Sequence, residues 1–213
     1  MKPTITTEER RANDALPDFV TEADWIPNFW NFVLGLDRED LVAELVQNDL
    51  DQLATKTLLT FEHDRLVCIG DGKPVDTDGW KRLRMIQGAG DSVPAKQGKI
   101  GVKNHGLKTA FTIGDEIQIF SAGKTITQTL YANGKDKPPR LGASPEPRFS
   151  PEAPSKGCHV VISYRVNDLE PREGEAIRLG LIDTSTIDDL FMSACAAIPA
   201  QFAGIVSPEV AKI

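Results

Sequence analysis

Cysteine is scarce in this chain: Cys68, Cys158 and Cys195 lie far apart in 213 residues, with no C-x-x-C spacing. That excludes a disulfide framework and a sequence-local zinc site, and it fits a reducing compartment, so the cytoplasm is the expected location. Long apolar runs are also missing. No window approaches the roughly 20 apolar residues of a membrane span, and the opening MKPTITTEERRAND lacks the apolar stretch of an export signal. A soluble protein is expected. Basic residues are in deficit, 24 Lys and Arg against 31 Asp and Glu, for a formal charge of -7. With no basic run, direct nucleic-acid binding is not indicated. His63 and His159 have no metal-ligand partners in sequence, His105 lies in a glycine-rich stretch where it could touch an anion, and there is no internal repeat.

What is present is enough for one domain with its own core, since 40% of residues are hydrophobic. Residues 1–36 read as an N-terminal arm whose WIPNFWNFVLGL end can anchor it through Trp25, Phe29, Trp30 and Phe32. Residues 37–213 form the domain. Asp37 offers a helix N-cap, and a helix is expected to about Ala54 with Leu41, Val42, Leu45, Val46, Leu50 and Leu53 on its apolar face. TLLTFE and RLVCIG read as a hairpin turning at His63-Asp64, and WKRLRMI as a short helix. A helix starts in HGLKTAF, EIQIFSAG and KTITQTLYANG pair as strands, and CHVVISYRV and IRLGLI are further strands. IDDLFMSACAAIPAQF closes the domain as a helix. Six prolines between Gly134 and Gly157 mark an irregular insertion at 134–157. This order fits an α+β two-layer sandwich, a mixed, mostly antiparallel sheet with helices on one face.

Two stretches carry candidate chemistry. In ELVQNDLDQ, Glu44, Asn48 and Asp51 fall within about 60° of one another on a helix. A carboxylate one turn from an amide can polarise a water while the amide oxygen binds a hard cation; a solvated helix edge has the same pattern. From Gly88 to Gly106 there are five glycines, and GKIGVKNHG offers backbone N–H groups with little side-chain obstruction before a helix. Phosphate is the natural guest, although neither a Walker A pattern nor a strand-preceded G-x-G-x-x-G is present.

In order, these motifs resemble the GHKL superfamily, the Bergerat-fold ATP-binding domains of gyrase, the ninety-kilodalton heat-shock chaperone, histidine kinases and MutL. ELVQNDLD looks like the family's E-x-x-x-N-x-x-D helix. GDGKPVDTD is similar to the sacsin-like N-G-K-P-F turn, and HGLKTAFTIGDEIQIFS to the MORC-like G-L-K-S segment with its following strand. The resemblance spans about Leu36 to Phe202.

The resemblance implies ATP and Mg²⁺ as ligands. It implies that Glu44 orients or deprotonates the attacking water, that Asn48 holds Mg²⁺, and that Asp51 supports the water network beside adenine. Gly98, Gly101 and Gly106 would admit the triphosphate, with Lys108 near it, and the segment carrying Ser92 and Lys96 would be a lid over the nucleotide. Three departures stand out. The family's adenine-binding Asp, two residues before Gly72, is Gly70 here, so Asp71 is expected to take over adenine. Lys103 occupies a glycine position, and Cys158 in GCHV replaces a hydrogen-bonding Thr.

The expected function is therefore ATP binding with slow Mg²⁺-dependent hydrolysis, lid closure and ATP-linked pairing of two copies. The alternative is a non-hydrolysing nucleotide-sensing or interaction module, and a histidine-kinase role ranks last because no phospho-acceptor helix is evident. With the chain ending at SPEVAKI, further domains or subunits are expected to turn nucleotide binding into work. The resemblance suggests DNA transactions, phage defence or chaperoning.

Overall fold

One helix shows how the sequence sets the layers. Helix α1, Asp40–Asp51, buries Leu41, Val42, Leu45, Val46 and Asp49. These positions recur at the three- and four-residue spacing of one helical face. The computed structural model describes residues 33, 35–36, 38, 40–84, 106–131, 140–141, 146–164, 184–197 and 206–210. Asp37, most of the arm, the glycine segment up to residue 105 and IRLGLI lie outside them.

α1 stops at Asp51 rather than Ala54. Leu53 takes a left-handed φ of 61°. Around it, the Ala54 N–H donates to the Asp49 carbonyl at 3.0 Å and the Leu53 N–H to the Leu50 carbonyl at 2.9 Å. This is the paired closure that caps a helix C-terminus, with leucine where glycine is usual. Leu53 is consequently 65% exposed, not part of the apolar face.

Strands β1, Thr57–Phe61, and β2, Arg65–Gly70, form the expected hairpin. Helix α2, Thr77–Arg84, starts three residues before the WKRLRMI run because Asp76 Oδ1 accepts the Gly79 N–H at 2.6 Å as an N-cap. HGLKTAF forms a 3-10 helix over Gly106–Thr112. β3, Gly114–Ser121, and β4, Lys124–Tyr131, are joined by Ala122 and Gly123. Both have positive φ, 52° and 70°, as a two-residue turn matching strand twist requires. Within the proline-rich insertion, β5, Arg140–Leu141, and β6, Arg148–Phe149, both pair with β4. β7, Cys158–Tyr164, and helix α3, Thr184–Ala197, follow. A final strand that the sequence reading did not anticipate, β8, Val206–Val210, runs parallel to β1. Its Pro208 sits in the strand at the end of the sheet path, where a missing N–H is tolerated.

The fold is α+β. The sheet order is β5-β4-β3-β7-β2-β1-β8, with every pairing antiparallel except β1 with β8. Strand alternation turns one face inward: Leu59 and Phe61, Leu66 and Cys68, Ile117 and Ile119, Ile126, and Ile162 are buried. They form one cluster with the apolar stripe of α1 and with Trp80, Phe111, Leu190 and Ala194. α3 closes over β1, with Phe191 edge-on to Phe61 at 6.3 Å between ring centres.

Candidate nucleotide site

The strand register aligns side chains into rungs across the inner face. Thr57 is opposite Gly70, and Gly70 opposite Cys158. Directly opposed residues share a face, so hydroxyl, hydrogen and thiol form one rung of small groups. The neighbouring rung runs Leu59, Cys68, Val160, Ile119, Ile126 and is apolar apart from the Cys68 thiol.

Above this rung lies Asp49, in the apolar stripe of α1 and only 7% exposed. Thr57 Oγ1 donates to its Oδ2 at 2.7 Å, and Cys68 Sγ reaches the same oxygen at 3.7 Å. A Cβ built on Gly70 would overlap the Asp49 carboxylate. Burial raises the Asp49 pKa to about 6; the Thr57 and Cys68 hydrogen bonds oppose that rise and the charge of Asp71 adds to it. The same desolvation, with Asp49 nearby, pushes the Cys158 thiol up to about 12 and the Cys68 thiol well above its ordinary value. Both thiols are therefore neutral, weak donors.

The structure places Asp71 off the inner face of the sheet. It is exposed, and its carboxylate accepts the Thr55 N–H at 2.6 Å, the Lys56 N–H at 2.8 Å and the Thr55 hydroxyl at 2.6 Å. Those bonds hold its pKa below the ordinary carboxylate value. Alternation explains the outcome: one residue past Gly70, the side chain leaves the inner face and clamps the α1–β1 loop. Gly72 follows in a turn that packs on the end of α1, where the Lys73 N–H donates to the Gln52 carbonyl at 2.7 Å.

At the other end of α1, Glu44 meets the 3-10 helix. Its carboxylate lies so close over Gly106 that a Cβ there would overlap it. Asn48 is half-buried one turn further along α1, and Asp51 is half-buried near the helix end. Glu44 and Asp49, five residues apart, are separated by about 7.5 Å of helix rise. Two carboxylates therefore sit at two levels along one helix, one beside Gly106 and one above the Thr57–Gly70–Cys158 rung.

Lys108 is buried in the core. It is neither exposed nor open to an anion: its Nζ donates to Gln128 Oε1 at 2.6 Å and to the Leu83 carbonyl at 3.3 Å. Burial lowers its pKa to about 7. A 3-10 helix turns about 120° per residue instead of 100°, which changes the side on which a given residue emerges. Gly98, Gly101, His105, Ser92, Lys96 and Lys103 lie outside the described residues.

For Mg²⁺ the protein donor set is thin. Among the described residues no three His, Cys, Asp or Glu side chains gather as a metal site. Asn48 can supply one hard oxygen, so a cation here would depend on ligand phosphate oxygens. Among the described residues no helix is long and apolar enough to cross a membrane.

Sequence reasoning missed Asp49. The signal was available, an acid at position i+4 from Leu45 and i+7 from Val42, inside the apolar stripe.

Comparison with known proteins adds little to this geometry. No protein-family model and no curated protein matches the chain. Among solved structures, it is similar to the N-terminal domain of a DNA repair protein, with a TM-score of 0.47 and 15% identity over 76% of this chain. The chain spans about 45% of the length of that structure.

Proposed function

We propose that this domain binds ATP with Mg²⁺ and hydrolyses it slowly, as a GHKL-type ATPase. The observation that supports this reading best is the seating of Glu44 against Gly106, with Asn48 one turn away. A carboxylate at the end of a glycine-rich segment is positioned to orient a water toward a terminal phosphate. An amide oxygen beside it can complete the shell of a phosphate-bound Mg²⁺. The small-group rung beneath Asp49, formed by Thr57, Gly70 and Cys158, is the candidate place for a flat base at the other end of the helix.

Calorimetry with ATP, with and without Mg²⁺, and steady-state phosphate release test the proposal. Wild type is expected to bind ATP and turn it over slowly, and Glu44→Ala to bind without turnover. Equal phosphate release by Glu44→Ala would remove Glu44 from catalysis. Pairing of two copies on ATP binding, a cytoplasmic location and service to a larger protein or complex belong to the same reading.

One observation favours a second reading, a nucleotide-sensing module without hydrolysis. The Lys108 ammonium is bonded within the core and so does not offset charge developing on a phosphate. Tight ATP binding with no phosphate release by wild type would select it.

A further inference from the structure

An acid in the apolar stripe of a core helix is costly unless something repays its desolvation. Among the described residues Asp49 receives only a hydroxyl and a thiol, both on Oδ2. Among the described residues no hydrogen bond reaches Oδ1. The carboxylate occupies the space that a side chain on Gly70 would fill, over a rung that offers only Thr57, Gly70 and Cys158. Small groups on three adjacent strands make a flat floor, and a single acceptor oxygen above that floor selects a planar ligand carrying an N–H donor. Thr57 matters to the geometry because its bond holds Oδ2, leaving Oδ1 as the oxygen without a hydrogen bond among the described residues.

Resting on the ATP reading, we propose that Asp49, from helix α1, is the residue that recognises the nucleobase, its Oδ1 accepting the exocyclic amino group of adenine. Asp71 is held by Thr55 and Lys56, and the inner-face position on β2 is Gly70, so the helix supplies the acceptor that the strand does not. The chemistry sets the selectivity. A base with a carbonyl in place of the amino group brings lone pairs against lone pairs and is rejected.

ATP and inosine triphosphate share ribose and triphosphate and differ only along the N1–C6 edge, where the amino group becomes a carbonyl and N1 gains a hydrogen, so calorimetry with both at pH 8 probes that edge. Wild type is expected to favour ATP by about ten- to a hundredfold, the range for one buried hydrogen bond. In Asp49→Asn, the amide oxygen keeps the Thr57 bond and the amide nitrogen turns toward the ligand, so the preference falls away or reverses. A second variant guards against loss of folding: Asp49→Ala with Gly70→Asp returns a carboxylate to the same space from the strand and is expected to recover the ATP preference that Asp49→Ala loses. If wild type binds neither nucleotide, the ATP reading itself fails, and this assignment with it. If wild type prefers ATP and both Asp49→Asn and Asp49→Ala keep that preference, the ATP reading stands and Asp49 is overturned as the base reader.

Discussion

Lys108 and Gln128 are joined inside the core, ammonium to amide oxygen at 2.6 Å, tying the 3-10 helix to β4. Burial lowers the lysine pKa from 10.5 to about 7, so between those values the unfolded chain binds a proton that the folded protein does not. Stability from this group therefore rises with pH from about 7 toward 10.5. Lys108→Met should lack that rise. At pH 9.5 the variant should be less stable by about 1–3 kcal/mol, because Gln128 Oε1 loses the Lys108 donor while the Leu83 carbonyl keeps only the Gln128 amide N–H. The gap should narrow at pH 6.5, where the wild-type lysine is charged and poorly solvated. Urea unfolding at the two pH values measures this, and a gap that does not change with pH would contradict it.

Gly106 touches Glu44 too closely for any side chain to be added. Gly106→Ala should push the carboxylate aside and reduce phosphate release by about a hundredfold, the scale of a 1 Å misplacement. ATP affinity should change little. A coupled phosphate assay beside calorimetry separates the two effects, and unchanged turnover would mean that the Glu44 position is not the catalytic one.

Asp71 is a loop clamp in this structure, so Asp71→Ala should lower the melting temperature and leave ATP affinity unaltered. Its folded-state pKa is below the ordinary 3.8 because Thr55 and Lys56 donate to it. The stability it contributes is thus present above 3.8 and lost as pH falls through the lower folded value. The melting difference between wild type and variant should disappear in strong acid. A large loss of ATP affinity in Asp71→Ala would restore the adenine role expected from sequence.

Asp49 has the opposite sign. With its pKa raised from 3.8 to about 6, the folded protein binds the proton more tightly than the unfolded chain. Wild-type stability from this group declines as pH rises from about 4 to 6 and is flat above. Asp49→Asn should abolish that decline, being more stable than wild type by on the order of 2 kcal/mol at pH 8 and nearly equal at pH 4. Chemical denaturation across that range is the measurement.

Much of the scaffold was legible because it rests on short-range periods. The three- to four-residue spacing placed Glu44, Asn48 and Asp51 beside the buried stripe of α1. Two-residue alternation identified β1, β2, β3, β4 and β7, and the D-T-D-G cap of α2 was readable although the reading began that helix at Trp80. The chain also encodes the glycines at 70 and 106, but only as residues without side chains. β8 was not legible, since a five-residue strand interrupted by Pro208 is recognisable mainly through its pairing with β1.

The sequence by itself determined which residues face the same way, because helix and strand periods are local properties of the backbone. Only the tertiary structure decided what stands opposite them: Asp49 over Gly70, Glu44 over Gly106, Lys108 against Gln128, and Asp71 clamped to Thr55 and Lys56. Burial and partnership depend on residues brought together from distant parts of the chain. They are what raise one carboxyl's pKa and lower another's, and no local period contains them.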